Sequence, residues 1–244
     1  MSDWILPMHR PLAFVLIAMT FAPTARAQAW QCRPPSTIPH VRVEGATARE
    51  PKRDIPIAGY TLALTWSPHI CAHASRAGDA FRCGGGGKRF GFTLHGLWPD
   101  GAGKTWPQYC RPAASLPPPV IRANICSTPS AQLIQHEWAK HGTCMTTRPS
   151  AYFDQSRKLY EKLNFPDMAI LSRRRNLLVR DVANAVAAAN PGMRANMMRI
   201  TVARGGWLDE IWLCLDKRFR AVACKAGSSG ARPALPIKIQ LPQA

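Results

Sequence analysis

Eight cysteines, at positions 32, 71, 83, 110, 126, 144, 214 and 224, constrain this chain more than any other feature. In an exported chain an even number reads as a disulfide framework, because thiols oxidise and stay oxidised outside the cytosol. Counting alone leaves on the order of 100 connectivities open. No Cys-x-x-Cys occurs, which argues against a zinc ribbon.

Export is read from the first residues. "HRPLAFVLIAMTFAPTARA" places His9 and Arg10 before an unbroken apolar run from Leu12 to Met19, and "ARA" closes at Ala27. A bilayer span takes roughly 20 apolar residues, so this run is a cleaved signal over residues 1–27 and not an anchor. Asp3 fits a positively charged leader poorly, which makes Met8 an alternative start. The expected organisation is a signal peptide (1–27), an irregular Pro- and Arg-rich lead-in (28–57) and one domain (58–244), with no membrane span after cleavage. No Asn-x-Ser/Thr acceptor occurs, which fits a bacterial periplasmic or secreted protein.

The formal charge is +18 over 244 residues. Removing the leader takes away Arg10, Arg26 and Asp3, a net loss of one positive charge, and leaves +17. Such an excess calls for an anionic partner: nucleic acid, an acidic polysaccharide or a lipid surface.

Strand and helix patterns are mixed without a β-α-β repeat. "YTLALTWSP" alternates Leu62, Leu64 and Trp66 with Thr61, Ala63 and Thr65, which reads as a half-buried strand. "RFGFTLHGL" is a second strand, with Phe90, Phe92 and Leu94 on one face and His95 with Thr93 on the other. "GLWPDGAG" ends it. "CGGGGKR" is a loop but not a phosphate-cradling P-loop, since Arg82 and Arg89 stand where Gly and Ser/Thr are required. A proline-rich loop covers 112–119. A helix begins at Thr128-Pro129 and stops at Gly142, a second starts at Ser150, and "RDVANAVAAAN" is a third. "MRITVAR", "LDEIWLCL" and "RFRAVAC" read as three short strands. Together they predict an α+β fold, a mainly antiparallel sheet packed with several helices and stapled by disulfides.

The chemistry concentrates in "HEWAKHGTC", His136 to Cys144. At roughly 100° per residue, His136, Glu137, Lys140 and His141 share one side of the helix, with Trp138 and Ala139 on the other. A zincin needs His-Glu-x-x-His. Here the histidines are five apart, and Lys140 would set a positive charge beside the metal, so no metal site is assigned. A solvated face with one capped histidine is the bland alternative. His95 supplies the second imidazole that acid–base chemistry needs. Metal-free RNA cleavage takes a base for the 2′-hydroxyl proton and an acid for the leaving 5′-oxygen, work suited to two histidines. An ammonium stabilises the phosphorane, and a carboxylate orients an imidazole or bonds the phosphoryl group.

"FTLHGLWPD" (92–100) with "HEWAKHGTC" (136–144) closely resembles the two active-site segments of the ribonuclease T2 family. "LTWSP", "WPQYC" and "LDEIWLCL" look like further family positions, and the resemblance spans roughly residues 58–224. It implies a cofactor-free endoribonuclease that forms a 2′,3′-cyclic phosphate and then, more slowly, a 3′-phosphate. It implies His95 as general acid, His141 as general base, Glu137 and Lys140 as transition-state stabilisers, and His136 as phosphate holder. It also implies that Trp98 stacks a base and that Asp100 bonds it, although a core Trp is the ordinary reading. Trp106 and Tyr109 are weaker candidates, and the arginines at 173–175 read as a solvated basic surface. The resemblance further implies Cys110–Cys144 and Cys214–Cys224; Cys71–Cys83 follows from proximity, and Cys32–Cys126 is what remains.

The expected function is therefore cleavage of single-stranded RNA, and not DNA, by a monomer of low base specificity. The competing reading is a basic RNA-binding or signalling protein that kept the scaffold without catalysis.

Overall fold

The computed structural model describes residues 1, 32–73, 80–84, 90–227 and 229–242. Residues 2–27 of the expected leader and 85–89 of the Gly-rich loop lie outside the described residues. Two of the strands read from alternation pair with each other in the sheet. Strand β1 (Gly59–Trp66) runs on into helix α1 (Ser67–His73), the short α2 (Ala80–Cys83) comes next, and β2 (Phe92–Asp100) pairs antiparallel with β1. Strand β2 does not end at Leu97 as "RFGFTLHGL" implies; it continues through Pro99 to Asp100. It lies at the edge of the sheet, where a residue without an N–H is tolerated.

The segment expected to be a proline-rich loop ends in a short helix, α3 (Pro118–Asn124), with proline in its first turn. Helix α4 (Ala131–Glu137), which carries His136, starts two residues later than Pro129, because Ser130 is its N-cap and accepts the Leu133 N–H at 3.3 Å. It does not stop at Gly142 either. The chain widens into a π turn (Trp138–Gly142) and then completes the helical turn α5 (Thr143–Met145). Helices α6 (Pro149–Tyr160), α7 (Met168–Ser172) and α8 (Val179–Ala188) come after it. Strands β3 (Met198–Ala203) and β4 (Trp207–Leu215) then complete an antiparallel sheet of order β2-β1-β4-β3. The third expected C-terminal strand, "RFRAVAC", does not form. Asp216 accepts the backbone N–H groups of Arg218 and Arg220 and makes a turn, and only a single bridge, Leu215 to Ala221, survives.

One face of the sheet carries the core. Leu62, Leu64, Phe92, Leu94, Leu97, Ile200 and Ile211 are buried against Tyr152 and Phe153 of α6 and against Val179, Val182 and Val186 of α8. The last three recur at helical spacing, so α8 turns a single apolar stripe inward. Tyr160 donates to the Phe92 carbonyl at 2.7 Å, and Tyr152 donates to the Leu97 carbonyl at 3.1 Å, which pins α6 to β2. Among the described residues no helix is long and apolar enough to cross a membrane.

Candidate active site

The other face of the sheet is shaped by a break in register. Ala63 pairs with Gly96 and Leu64 with Leu94, so His95 falls between the two pairs without a partner of its own. This is a β-bulge, which re-aims a side chain and moves the rest of the strand by one residue. Beyond it Leu97 faces the core, while Trp98 comes to the same side as His95; their rings lie 5.1 Å apart, edge to face. Gly96 is required here, because a Cβ on it would lie 1.7 Å from Glu137 Oε2.

The π turn divides the motif's polar groups into two pairs. Glu137 and His141 face the sheet. Glu137 Oε2 accepts the Trp98 indole N–H at 2.9 Å, its Oε1 lies 3.5 Å from His95 Nε2, and the His141 ring packs 5.6 Å from that of Trp98. His136 and Lys140 turn instead to the lead-in, where His136 Nδ1 meets Glu44 at 2.5 Å and Lys140 Nζ meets Glu50 at 2.6 Å. The ion pairs of Glu137, His136 and Lys140 thus run to other elements and not along the helix.

Burial and charge shift the pKa values of the two imidazoles in opposite directions. Burial alone would lower His95, but its hydrogen bond to Glu210 and the charges of Glu137 and Glu210 outweigh it, and its pKa rises. Burial takes His141 well below the ordinary value, and the charges of Lys140, His136 and His95 push the same way. Glu137 is only 2% exposed, and burial raises its pKa against the pull of His95, His136 and the Trp98 N–H. Glu137 Oε1 and His141 Nδ1 are buried without a hydrogen-bond partner among the described residues.

Sequence reasoning missed three carboxylates. Glu44 and Glu50 lie in a lead-in with no periodicity to flag them. Glu210 lies in "LDEIWLCL", but no local pattern shows that β4 pairs with β1 and sets it against His95 Nδ1 at 2.6 Å. Asp100 receives the Thr61 hydroxyl at 2.8 Å, and burial raises its pKa. Trp106 is exposed with Arg53 over its ring, and Tyr109 is buried and donates to Glu50 at 3.1 Å. Arg173, Arg174 and Arg175 are exposed after α7.

Four disulfides hold this arrangement: Cys32–Cys126, Cys71–Cys83, Cys110–Cys144 and Cys214–Cys224. Cys110–Cys144 ties the end of the π-turn helix to the loop after β2. Cys32–Cys126 fastens the lead-in near the start of α4.

A disulfide-stapled α+β fold sets two imidazoles and a buried carboxyl about the Trp98 indole, with the Lys140 ammonium turned to Glu50, and this is the candidate acid–base site. The chain belongs to the ribonuclease T2 family, whose model matches residues 58–224. It is 27% identical over 183 residues to a probable ribonuclease of Haemophilus influenzae, a match covering 70% of this chain and 62% of that protein. The chain thus spans less than two thirds of that relative's length. It is 30% identical over 171 residues to a ribonuclease of Aeromonas hydrophila, covering 68% of this chain and 75% of that protein. In fold it is similar to trichomaglin, an S-like ribonuclease, with TM-score 0.58, 23% identity and coverage of 72% of this chain and 96% of that one.

Proposed function

We propose that this chain is an exported endoribonuclease that cleaves single-stranded RNA by transphosphorylation and has low base specificity. His141, held neutral, takes the proton of the 2′-hydroxyl. The 2′-oxygen attacks phosphorus, and the bond to the 5′-oxygen breaks as protonated His95 gives that oxygen its proton, leaving a 2′,3′-cyclic phosphate. Water then opens the ring to a 3′-phosphate with the two imidazoles in exchanged roles. Lys140 offsets the charge of the phosphorane, Glu137 stands beside it, and His136 holds a phosphate. Four disulfides favour a compartment outside the cytosol.

One observation carries this reading. Two imidazoles flank the same indole, at 5.1 and 5.6 Å, and their surroundings shift one up and the other down. Titratable partners pushed apart in this way are an acid and a base in waiting. The test is digestion of dinucleoside phosphates and matched DNA with a metal chelator present, the products read by mass. A 2′,3′-cyclic phosphate from RNA alone is expected; no cyclic product, or equal loss of DNA, would overturn the reading.

A further inference from the structure

The two nitrogens of the His95 ring meet different partners. Nε2 points toward Glu137, at 3.5 Å, while Nδ1 points the other way, into Glu210 Oε1 at 2.6 Å. The Glu210 carboxylate is itself fixed from several directions. Its Oε1 also accepts the Thr65 hydroxyl at 2.8 Å, and its Oε2 accepts the Trp212 indole N–H at 2.7 Å. Both bonds cross or run along the sheet, so neither oxygen is free to turn.

The backbone under Glu210 is also irregular. Ile200 pairs with Ile211 and Val202 with Leu208, so Asp209 and Glu210 together oppose the single residue Thr201. Thr201 Oγ1 accepts the Glu210 N–H at 3.0 Å and secures that second bulge. His95 and Glu210 therefore each stand at a break in strand register, on strands separated by β1. Regular pairing has been given up twice, and the two departures meet in one short hydrogen bond.

We propose that Glu210 is a positioning residue for His95, holding its Nδ1–H so that Nε2 alone is presented to the leaving oxygen. The inference rests on the ribonuclease reading for its kinetic consequences, but not for its geometry. A carboxylate on Nδ1 fixes the tautomer and ring orientation, and it stabilises the imidazolium that an acid must be before it acts. Other charged groups also face His95: Glu137 from α4, Arg82 from α2, His141 from the π turn, and Asp209 beside Glu210. Glu210 differs from them in making a direct, short hydrogen bond to the ring.

The test uses the disulfide-intact protein with Glu210→Gln, a substitution that keeps shape and removes charge. The amide nitrogen then meets the Trp212 N–H as donor against donor, or the Thr65 and His95 side if flipped. The His95 imidazole titration, followed by NMR, is expected to move down by about one pH unit. The alkaline limb of kcat against pH should move down with it, and kcat at neutral pH should fall about 10-fold with KM little changed. Thr65→Val, which keeps the carboxylate and removes one of its supports, should shift the same limb by less. It also serves if the Gln variant does not fold. An unmoved His95 titration in a folded Glu210→Gln protein would overturn the proposal. If the wild type cleaves no RNA, the ribonuclease reading fails while the NMR titration still decides the role of Glu210.

Discussion

Lys140 and Glu50, 90 positions apart in the chain, form an ion pair of 2.6 Å. The ammonium proposed to meet a phosphorane is thus already on a carboxylate, and that carboxylate's pKa is lowered chiefly by the Lys140 hydrogen bond. A substrate phosphate must compete with it. Glu50 is 44% exposed, so the pair is worth about as much as a surface ion pair, ~0.2–1 kcal/mol. Glu50→Gln is expected to lower KM for a dinucleoside phosphate by about 2- to 5-fold, with the gain shrinking in high salt. Steady-state kinetics at two ionic strengths check this. A higher KM would mean that Glu50 holds Lys140 in place instead of competing for it.

Gly96→Ala tests the closeness of strand and helix. The new methyl would reach Glu137 Oε2 and come within 3.0 Å of Trp98 Nε1, so the carboxyl and the indole must part. Overpacking of this kind costs about 1–3 kcal/mol. Denaturant unfolding should show that loss, and turnover should fall more than 10-fold, since His95, Glu137 and Trp98 share one set of contacts. Gly103→Ala, where nothing lies within 4 Å, is the control and should change neither.

The parts of this site visible in the sequence were those confined to short segments. "HEWAKH" carries its groups at helical spacing, and His95 sits in an alternating strand, so each could be picked out locally. What joined them was not local. Plain alternation from Leu94 would put Trp98 on the core side; one unpaired residue inverts that parity, and its only signal was a glycine inside a strand pattern. Glu210 required the strand order, which places β1 between β2 and β4. Glu44 and Glu50 required the path of an aperiodic segment across α4. "RFRAVAC" misled in the opposite sense: its alternation suits a strand, but Asp216 folds the backbone into a turn and Cys224 bonds back to Cys214 before a ladder can form.

The Cys32–Cys126 bridge spans 94 residues and is the disulfide that ties the lead-in to the domain. In the chain-entropy account a loop of that size stabilises by about 4–5 kcal/mol, against ~3 for a short one. Reduction of the protein is therefore expected to lower Tm. The Cys32→Ser/Cys126→Ser double variant should account for a large share of that drop in calorimetry. Loosening the lead-in also loosens Glu44 and Glu50, so the same variant should show a lower KM while it is less stable. An unchanged Tm on full reduction would contradict a structural role for the bridges.

His141 makes a prediction about stability and pH. Its folded pKa lies well below 6.5, chiefly through burial, so between that lowered value and 6.5 the unfolded chain binds a proton that the folded chain refuses. Folding is then opposed by up to about 1.4 kcal/mol for each pH unit across the window. The sign is fixed: this contribution is absent above the unfolded value and grows as pH falls toward the folded one. His141→Gln cannot take up that proton. Denaturant unfolding across pH 4 to 8 (roughly the range of an imidazole in and out of a protein) should show the wild type losing stability relative to the variant as pH drops below 6.5. Above 6.5 the two curves should run parallel. His95 has the opposite shift, so His95→Gln should reverse the pattern: the wild type's advantage is present at low pH and is lost as pH rises through the raised value. Parallel curves for both variants over the whole range would mean that neither imidazole feels the surroundings from which the acid and base roles are drawn.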